Sequence, residues 1–275
     1  MKVSTVSQLE KAKAFRSLHE RKGAFVIPNP WDIGSALMLA GLGFEALATT
    51  SAGFANSVGR SDGQMSVDEV IEHCRVLSAS TDLPISADLE NCFAHDPTDA
   101  AATIRLAAAA GVVGGSIEDH TGDPTDPIYD FELAVERVHA AVEAARSFGF
   151  PFMLTARSEN LLHGKHDLDE TIRRLKAFEA AGADVLYAPG IKTLDDVRFV
   201  TSSVGKPVNV LAPFIKNATL NELASAGAKR ISLGGSLVRA TFSALIKASR
   251  EMQDLGTFGW TDDLVSGSEV HKLLG

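Results

Sequence analysis

A short pattern of hydrophobic and polar positions recurs along the chain. A helical stretch ends in Ala-Gly or a close variant, and a run of mainly apolar residues follows at once. Glycine just after a helix supplies the left-handed residue that ends it, and a short continuous apolar run is typical of a strand buried on both faces. The clearest copies lie at 39–50, 107–119, 179–190 and 224–235.

Four further strands fit between these copies, at Ala24–Pro28, Leu83–Asp88, Phe150–Arg157 and Pro207–Leu211. Eight strands alternating with helices at a spacing of ~30 residues predict a parallel sheet. Eight units favour a closed barrel, whereas a doubly wound sheet has about six strands and opens with GxGxxG after the first. The sequence there reads PNPWDIGS, so the pattern favours an α/β fold of the (β/α)8 TIM-barrel type.

The repeat also bounds the domain organisation. Residues 1–275 read as one barrel domain, and the repeat is lost from about Gly256, so that 236–275 is expected to be a C-terminal helical segment. Ser66 and Glu69 have the spacing of a capping box, which predicts a helix start. Asp167 or Asp169 is expected to cap the helix that precedes Ala181.

Composition narrows the function classes. The net charge of −9 gives no basic surplus to meet phosphates, which disfavours nucleic acid as a partner. Cys74 and Cys92 form no CxxC pair, as is usual in the reducing cytoplasm. The N-terminus lacks the apolar core of a signal peptide, and no run of 18 or more apolar residues occurs, so no membrane association is expected.

Charged side chains stand where three of the apolar strands end. They are Asp88 and Glu90 after the third strand, Glu118 and Asp119 after the fourth, and Arg157 and Glu159 after the fifth. In a barrel these ends meet at one mouth, where several carboxylates repel one another unless a cation joins them. All-oxygen ligands favour Mg²⁺, with Mn²⁺ as the alternative. The guanidinium of Arg157 is suited to bind a substrate carboxylate.

Structural roles compete with these interpretations. A single aspartate at a strand end is often a helix N-cap, Arg157 is equally suited to pair with Glu118 or Glu159, and Trp31 is equally suited to pack beneath a loop. Two segments, 55–65 and 120–130, follow strand ends and have the length of active-site loops, and the second is rich in Pro, Asp and Gly.

Five motifs, taken in order, resemble the isocitrate lyase/phosphoenolpyruvate mutase superfamily. They are PNPWD at 28–32, ATTSAG at 48–53, ADLEN at 87–91, SIED at 116–119 and ARSEN at 156–160. Superfamily members carry stretches like PGAYD, TSGAG, AD-x-D/E-x-G, IED and ARTDA. The resemblance covers about residues 23 to 235 and implies a (β/α)8 barrel with Mg²⁺ that acts on C–C or P–C bonds next to a 2-oxo acid.

The resemblance also assigns residues. It implies that Asp88 binds the metal directly and that three acids hold metal-bound waters, namely Asp62, Glu90 and Glu118. Substrate contacts are implied for Arg157, Trp31 and Asn209, and for the backbone of Ser51, Ala52 and Gly53. Superfamily members commonly exchange a C-terminal helix and form tetramers, so residues 235–256 and the tail are expected to support a homo-oligomer, a dimer or a tetramer.

Departures from the superfamily affect the acid–base half of the site. The lyases carry a Lys-Lys/Arg-Cys-Gly-His loop after strand 4, and the chain reads HTGDPTDPIYD there, without a Cys; a Glu of the lyases is replaced by Pro189. His120 and Tyr129 in this loop are the candidate proton donors.

Three functions therefore stay open. The first is a Mg²⁺-dependent lyase that cleaves or forms a C–C bond next to a 2-oxo acid or in a small hydroxy di- or tricarboxylate. The second is a phosphonomutase or P–C bond hydrolase acting on a small phosphonate. The third is a non-catalytic protein that binds 2-oxo acids.

Overall fold

Eight parallel strands follow one another along residues 4–275, the part of the chain that the computed structural model describes. The strands are β1 (Phe25–Ile27), β2 (Leu47–Ala48), β3 (Ile85–Ala87), β4 (Gly114–Glu118), β5 (Met153–Arg157), β6 (Val185–Tyr187), β7 (Val208–Leu211) and β8 (Arg230–Ser232). Their spatial order is β1-β8-β7-β6-β5-β4-β3-β2. The amide of Ala48 donates to the carbonyl of Pro28 at 3.1 Å beside the seam between β1 and β2. The predicted (β/α)8 barrel is confirmed, and the doubly wound alternative is excluded.

Eleven α-helices surround or extend the strands within this range. They are α1 (Gln8–Glu20), α2 (Ile33–Gly41), α3 (Ser51–Ser57), α4 (Val67–Ser80), α5 (Pro97–Ala109), α6 (Phe131–Arg146), α7 (Leu168–Ala180), α8 (Leu194–Ser203), α9 (Leu220–Ser225), α10 (Ser236–Leu255) and α11 (Gly267–Leu274). The predicted helix starts are confirmed, since Ser66 and Glu69 form a capping box and Asp167 caps α7. Short 3₁₀ turns occur at Ala212–Phe214 and Gly259–Asp263.

The glycine that ends each predicted repeat adopts the expected left-handed backbone. Gly111 after α5 has φ 98° and Gly182 after α7 has φ 103°. A side chain would be strained at these angles, and the added Cβ of Gly111 would lie 2.7 Å from Ser78 Oγ. The Ala-Gly pattern therefore marks the turns that carry the chain from helix to strand.

Helix α1 closes the amino-terminal end of the barrel. Its Ala12, Phe15 and Leu18 pack with Phe25 and with inward side chains of other strands in one buried cluster. Phe15 reaches the barrel interior, since a Cβ added to Gly114 would lie 3.0 Å from its Cε1. The interior is thus sealed at this end and opens at the carboxyl ends of the strands.

Above this apolar floor the barrel interior is polar. Buried polar side chains from five strands point into the open end; they are Ser86, Ser116, Tyr187, Asn209, Arg230 and Ser232. Most barrels fill this volume with branched apolar side chains. Burying so many polar groups costs free energy unless they are paired, which indicates that the interior serves a ligand.

The segment after β8 is helical, as expected. Helix α10 buries Val238 but leaves much of its length exposed, and α11 returns to pack on α2, where a Cβ on Gly41 would lie 2.6 Å from the carbonyl oxygen of Leu273. No helix in residues 4–275 is both long and apolar enough to cross a membrane.

The packing of His19 on α1 predicts a specific loss of stability in acid. Its ring lies between those of Phe15 and Phe25, with centroids 4.7 and 5.0 Å away. Burial, with a contribution from the charge of Arg230, lowers the pKa of His19 from 6.5 to about 3. As the pH falls from 6.5 towards 3, the unfolded chain binds a proton that the folded chain excludes, so the free energy of unfolding decreases.

We expect His19→Phe, which keeps the ring packing, to remove about 2–3 kcal/mol of this loss between pH 7.5 and pH 4. Urea unfolding at both pH values measures the effect. His139→Gln, at an exposed position on α6, is the control and should match the wild type. An unchanged pH dependence in His19→Phe would show that His19 is protonated in the folded protein.

Candidate active site

A small cavity opens at the carboxyl ends of the strands and continues down into the barrel. Its volume is about 150 Å³. A cavity of this size that is open at one end suits a small organic molecule. The wall includes Ser51, Asp62, Asp88, Arg157, Asn209 and Arg230, drawn from different strands and loops. Topology thus brings together residues that are far apart in sequence, as expected for a barrel enzyme.

Asp88 occupies the centre of the mouth, just after β3. The amide of Ser51 at the start of α3 donates to its Oδ2 at 2.9 Å, and the hydroxyl of Ser116 donates to Oδ1 at 3.3 Å. Its own amide donates to Thr49 Oγ1 at 2.7 Å. The carboxylate is therefore fixed in orientation and exposed to the cavity.

Arg157 joins three carboxylates at the end of β5. Its Nη1 lies 3.0 Å from Asp88 and 2.8 Å from Glu118, and its Nε lies 2.7 Å from Glu159. Burial alone would lower the pKa of Arg157, but Glu118, Glu159 and Asp88 together raise it well above its ordinary value. The structural and the ligand-binding interpretations of Arg157 are thus both compatible with its place on the cavity wall.

The acids around Arg157 outnumber its single charge, and their pKa values reflect this. Burial raises the pKa of Glu118 well above its ordinary value, with Glu159 and Asp88 adding to the shift against the opposing charge of Arg157. Burial and the charges of Asp88 and Asp62 raise the pKa of Glu90 to about 7. Within residues 4–275, Glu90 Oε1 is buried without a hydrogen-bond partner. The cluster therefore lacks positive charge.

Asp62 comes from the loop after α3 and reaches the same cavity. Although its residue surface is largely exposed, its carboxyl is enclosed beside Ser51, and burial, opposed by the Ser51 hydrogen bond, raises its pKa. The four acids that the superfamily resemblance names are thus neighbours.

These acids fit a hard divalent cation. All the atoms that could bind a metal here are carboxylate oxygens. Oε1 of Glu90 has no hydrogen-bond partner, and a water of a hydrated cation could donate to it. In the described part of the chain no three His, Cys, Asp or Glu side chains are grouped closely enough to bind a metal jointly. Mg²⁺ usually keeps several waters and takes one or two carboxylates, which suits Asp88 as the direct ligand and the others acting through water.

The start of α3 supplies fewer free amides than the sequence indicates. Ser51 donates to Asp88, and the Gly53 amide donates to the side chain of Thr50, the helix N-cap, at 3.2 Å. Gly53 does not line the cavity, so its expected backbone contact to substrate is not available in this structure. Ala52 does line it, and no hydrogen bond engages its amide within residues 4–275.

Two further predicted substrate contacts have different outcomes. Asn209 on β7 is buried on the cavity wall, as expected. Trp31 is half-buried and its backbone carbonyl lies 3.0 Å from His73 Nε2. Its Cβ lies beneath Gly53, 3.4 Å from an added Cβ there, and the residue is not part of the cavity wall.

The loop after β4 separates the two candidate proton donors. It folds back on itself, with His120 paired to Ile128 in an antiparallel bridge. The hydroxyl of Tyr129 is carried away from the cavity to lie 2.6 Å from His95 Nδ1, while Arg137 covers its ring at 4.2 Å. This buried position corrects the expectation that Tyr129 serves as a proton donor to the cavity.

His120, like Tyr129, is not part of the cavity wall. Its ring stacks on that of His163 with centroids 4.1 Å apart. Burial, followed by the charges of His163 and Arg157, lowers the pKa of His120. The neutral imidazole with one N–H is therefore favoured at neutral pH.

Sequence reasoning missed three residues of this region. Ser116 and Tyr187 line the cavity, and Arg230 reaches it from β8. The signal for Arg230 was present, because an arginine inside the apolar run RISL is unusual for a buried strand. Asp119, by contrast, is structural: it pairs with Arg174 at 3.0 Å and accepts from the Glu159 amide at 2.7 Å.

Comparisons with known proteins agree with this geometry. A sequence profile of the phosphoenolpyruvate phosphomutase family matches residues 15–253. A provisionally assigned lyase/mutase from Burkholderia cenocepacia J2315 is 54% identical in its crystal structure, with a TM-score of 0.94 over 96% of this chain and 95% of that one.

More distant relatives have defined reactions. The 2-methylisocitrate lyase of Shewanella oneidensis is 29% identical over 252 residues, which are 87% of this chain and 85% of the lyase. A phosphonopyruvate hydrolase, crystallised with oxalate and Mg²⁺, is 22% identical with a TM-score of 0.85 over 96% of this chain and 94% of that one. At this low identity, the similarity to phosphonopyruvate hydrolase supports the shared fold and not a shared reaction.

The Arg157 cluster predicts a large stability effect. Arg157→Met leaves three carboxylates without their shared cation, and we expect the metal-free protein to lose about 3–5 kcal/mol of unfolding free energy. The loss should be smaller at pH 5 than at pH 8, because protonation relieves the unpaired acids.

Arg173→Met is the matched control, since Arg173 is exposed and pairs with Glu170 on the same helix; it should cost less than about 1 kcal/mol. Urea unfolding measures both, and equal small losses would contradict the role given to Arg157.

Proposed function

The chain belongs to the phosphoenolpyruvate phosphomutase family, within the isocitrate lyase/phosphoenolpyruvate mutase superfamily, and we propose that it is a Mg²⁺-dependent lyase. Its reaction cleaves or forms a C–C bond next to the carbonyl of a 2-oxo acid or within a small hydroxy di- or tricarboxylate. The observation that carries this proposal is the placement of Asp88, which faces the cavity between the start of α3, Arg157 and three further acids.

Asp88 would hold the cation directly, with Asp62, Glu90 and Glu118 holding its waters. Superfamily members use Mg²⁺, and the oxalate complex of phosphonopyruvate hydrolase contains it. When bound, Mg²⁺ supplies Lewis-acid stabilisation of negative charge developing on the substrate carbonyl oxygen.

The chain's own residues bind and orient the substrate. The free amide of Ala52, at the positive end of α3, binds the substrate carboxylate next to the carbonyl. Arg157 can exchange its contact with Asp88 for a substrate oxygen, since Asp88 keeps the hydrogen bonds from Ser51 and Ser116. We assign the role of proton carrier to His120, through the N–H of its neutral ring, because the hydroxyl of Tyr129 is engaged with His95.

Phosphonate chemistry is the second candidate. The loop at 120–130 carries no Cys, so the acid–base group of the usual superfamily lyases is absent, and a reaction that does not need it gains weight. A P–C hydrolase would release phosphate from phosphonopyruvate, whereas the proposed lyase releases pyruvate or glyoxylate from carboxylate substrates. A non-catalytic 2-oxo-acid-binding protein would bind such acids without turnover.

Substituting Asp88 tests the proposal directly. Asp88→Asn keeps the size and the acceptor for the Ser51 amide but removes the charge, so turnover of any accepted substrate should fall by about 10²–10³-fold or more. The assay follows pyruvate, glyoxylate and phosphate release from 2-oxo acids, hydroxy-tricarboxylates and phosphonopyruvate, with Mg²⁺ and with EDTA. Asp195→Asn, at an exposed position on α8, is the control. Turnover that survives both EDTA and Asp88→Asn would refute the lyase mechanism, and Mg²⁺-dependent oxalate binding without turnover would favour the binding protein.

We further propose that α10 mediates a homo-oligomer, a dimer or a tetramer. Several of its apolar side chains are exposed, including Phe242, Leu245, Ile246 and Leu255, and the following segment exposes Phe258, Leu264 and Val265. Apolar residues clustered on one surface segment mark protein–protein contacts more often than scattered ones do. A helix projecting from the barrel with such a face suits a second copy of the chain.

Charge on this face should separate the subunits. Leu245 is 63% exposed, so Leu245→Glu should leave the fold intact and shift the mass measured by sedimentation or light scattering towards the monomer. Leu106→Glu, at a 46% exposed position on α5, is the control and should keep the wild-type mass. A wild-type chain that is monomeric at micromolar concentration would contradict the proposal.

A cytoplasmic location is also proposed. Cys74 and Cys92 are both free and buried, as is usual in a reducing compartment.

A further inference from the structure

Arg230 is a buried arginine without a counter-ion. It begins β8, faces the barrel interior and is 5% exposed. Its Nε donates to Asn209 Oδ1 at 2.8 Å, while Nη1 is buried and has no hydrogen-bond partner within residues 4–275. The ion pairs of this range include no partner for Arg230, whereas Arg157 has three. The two arginines of the cavity are therefore in opposite electrostatic situations.

The charge of Arg230 persists in this environment. Burial lowers its pKa to about 10, which still leaves the guanidinium protonated at neutral pH. The positive charge of Arg230 also acts on His19, which lies beneath the apolar floor of the barrel, and contributes to the lowering of the His19 pKa. A buried charge is costly unless it is paired, so the unpaired guanidinium of Arg230 points to a partner that comes from outside the chain.

The cavity leads to Arg230 from the mouth. Asp88 and Arg230 line the same cavity of about 150 Å³, and Ser232 and Tyr187 are also part of its wall. Ser232 Oγ accepts from Asn209 Nδ2 at 2.9 Å. The base of the cavity thus offers a guanidinium and hydroxyl groups with no carboxylate, while the mouth is rich in carboxylates.

We propose that Arg230 forms an anion subsite at the base of the cavity, which receives the distal carboxylate of a four- or five-carbon substrate. This rests on the proposed function, in which the carboxylate next to the carbonyl is bound at the mouth. The subsite makes the protein selective for dicarboxylates over monocarboxylates of equal length. Asn209 positions the guanidinium through its contact with Nε.

Matched ligand pairs test the subsite by binding alone. Malate and 2-hydroxybutyrate have the same chain length, as do 2-oxoglutarate and 2-oxopentanoate, and only the first of each pair has a distal carboxylate. Calorimetric titration in Mg²⁺ should show that the wild type prefers at least one diacid to its partner by about tenfold or more, the usual scale of a charge-assisted hydrogen bond. Arg230→Met should abolish this preference while changing affinity for the monoacids by less than about twofold.

Thermal unfolding gives a second readout. Arg230→Met replaces an unpaired buried charge with an apolar chain of similar length, so the melting temperature of the free protein should stay equal or rise. Arg230→Gln, which keeps a side-chain donor for Asn209, should lose the diacid preference as well and serves if the methionine variant does not fold. Arg173→Met is the surface control and should behave as wild type in both measurements.

Several results would overturn the proposal. They are a wild type with no diacid preference, a preference that survives in Arg230→Met and Arg230→Gln, or equal weakening of both members of each pair. Repeating the titrations in EDTA separates this inference from the proposed function. Monoacid binding that is equally strong without Mg²⁺ would refute the metal-based function, while the diacid preference would still decide the role of Arg230.

Discussion

The contact of Arg157 with three carboxylates organises the mouth of the barrel. Asp88, Glu118 and Glu159 come from the ends of β3, β4 and β5, and each lies within 3.0 Å of one guanidinium. Such acids could not stay ionised together in a largely enclosed site without a cation. One arginine neutralises only part of their charge, and the raised pKa values of Glu118 and Glu90 show the shortfall. A site that holds acids in excess of its own cations is chemically prepared for a metal ion.

The rest of the fold maintains this imbalance. Helix α1 seals the opposite end of the barrel with Phe15 and its neighbours, so water reaches the acids from the mouth. The Asp119–Arg174 pair is satisfied within the protein, and it also holds the Glu159 amide in place. Adjacent residues therefore serve different ion pairs, with Glu118 directed at the Arg157 cluster and Asp119 directed at Arg174 on α7.

The sequence was sufficient for the fold because its signals are local. Gly111 and Gly182 follow helices and adopt the left-handed backbone that ends them, and short apolar runs come directly after both glycines. The acids of the mouth were also predictable, since strand ends in a barrel converge whatever the loop lengths.

Tyr129 was misplaced for the opposite reason. Its position depends on the pairing of His120 with Ile128, a fold-back within the loop that no hydrophobic period encodes. The backbone contact that the superfamily resemblance implied for Gly53 is not available, because Thr50 caps a helix that begins at Ser51 and its side chain accepts from the Gly53 amide.

Arg230 shows how charge pairing can extend what a resemblance predicts. The motifs shared with the superfamily include Asp88 and Arg157 at the mouth. They do not include Arg230, which lies deeper in the barrel. There the relevant evidence is the contrast between one arginine with three acidic partners and another with none. Both side chains line one cavity, so a ligand that satisfies the acid-rich mouth through a cation and the acid-free base through an anion must carry charge at both ends. Such a ligand would explain why polar side chains replace the usual apolar filling of the barrel. Asn209 contacts the guanidinium of Arg230 and is itself held by Ser232, so Arg230 keeps its position when the cavity is empty.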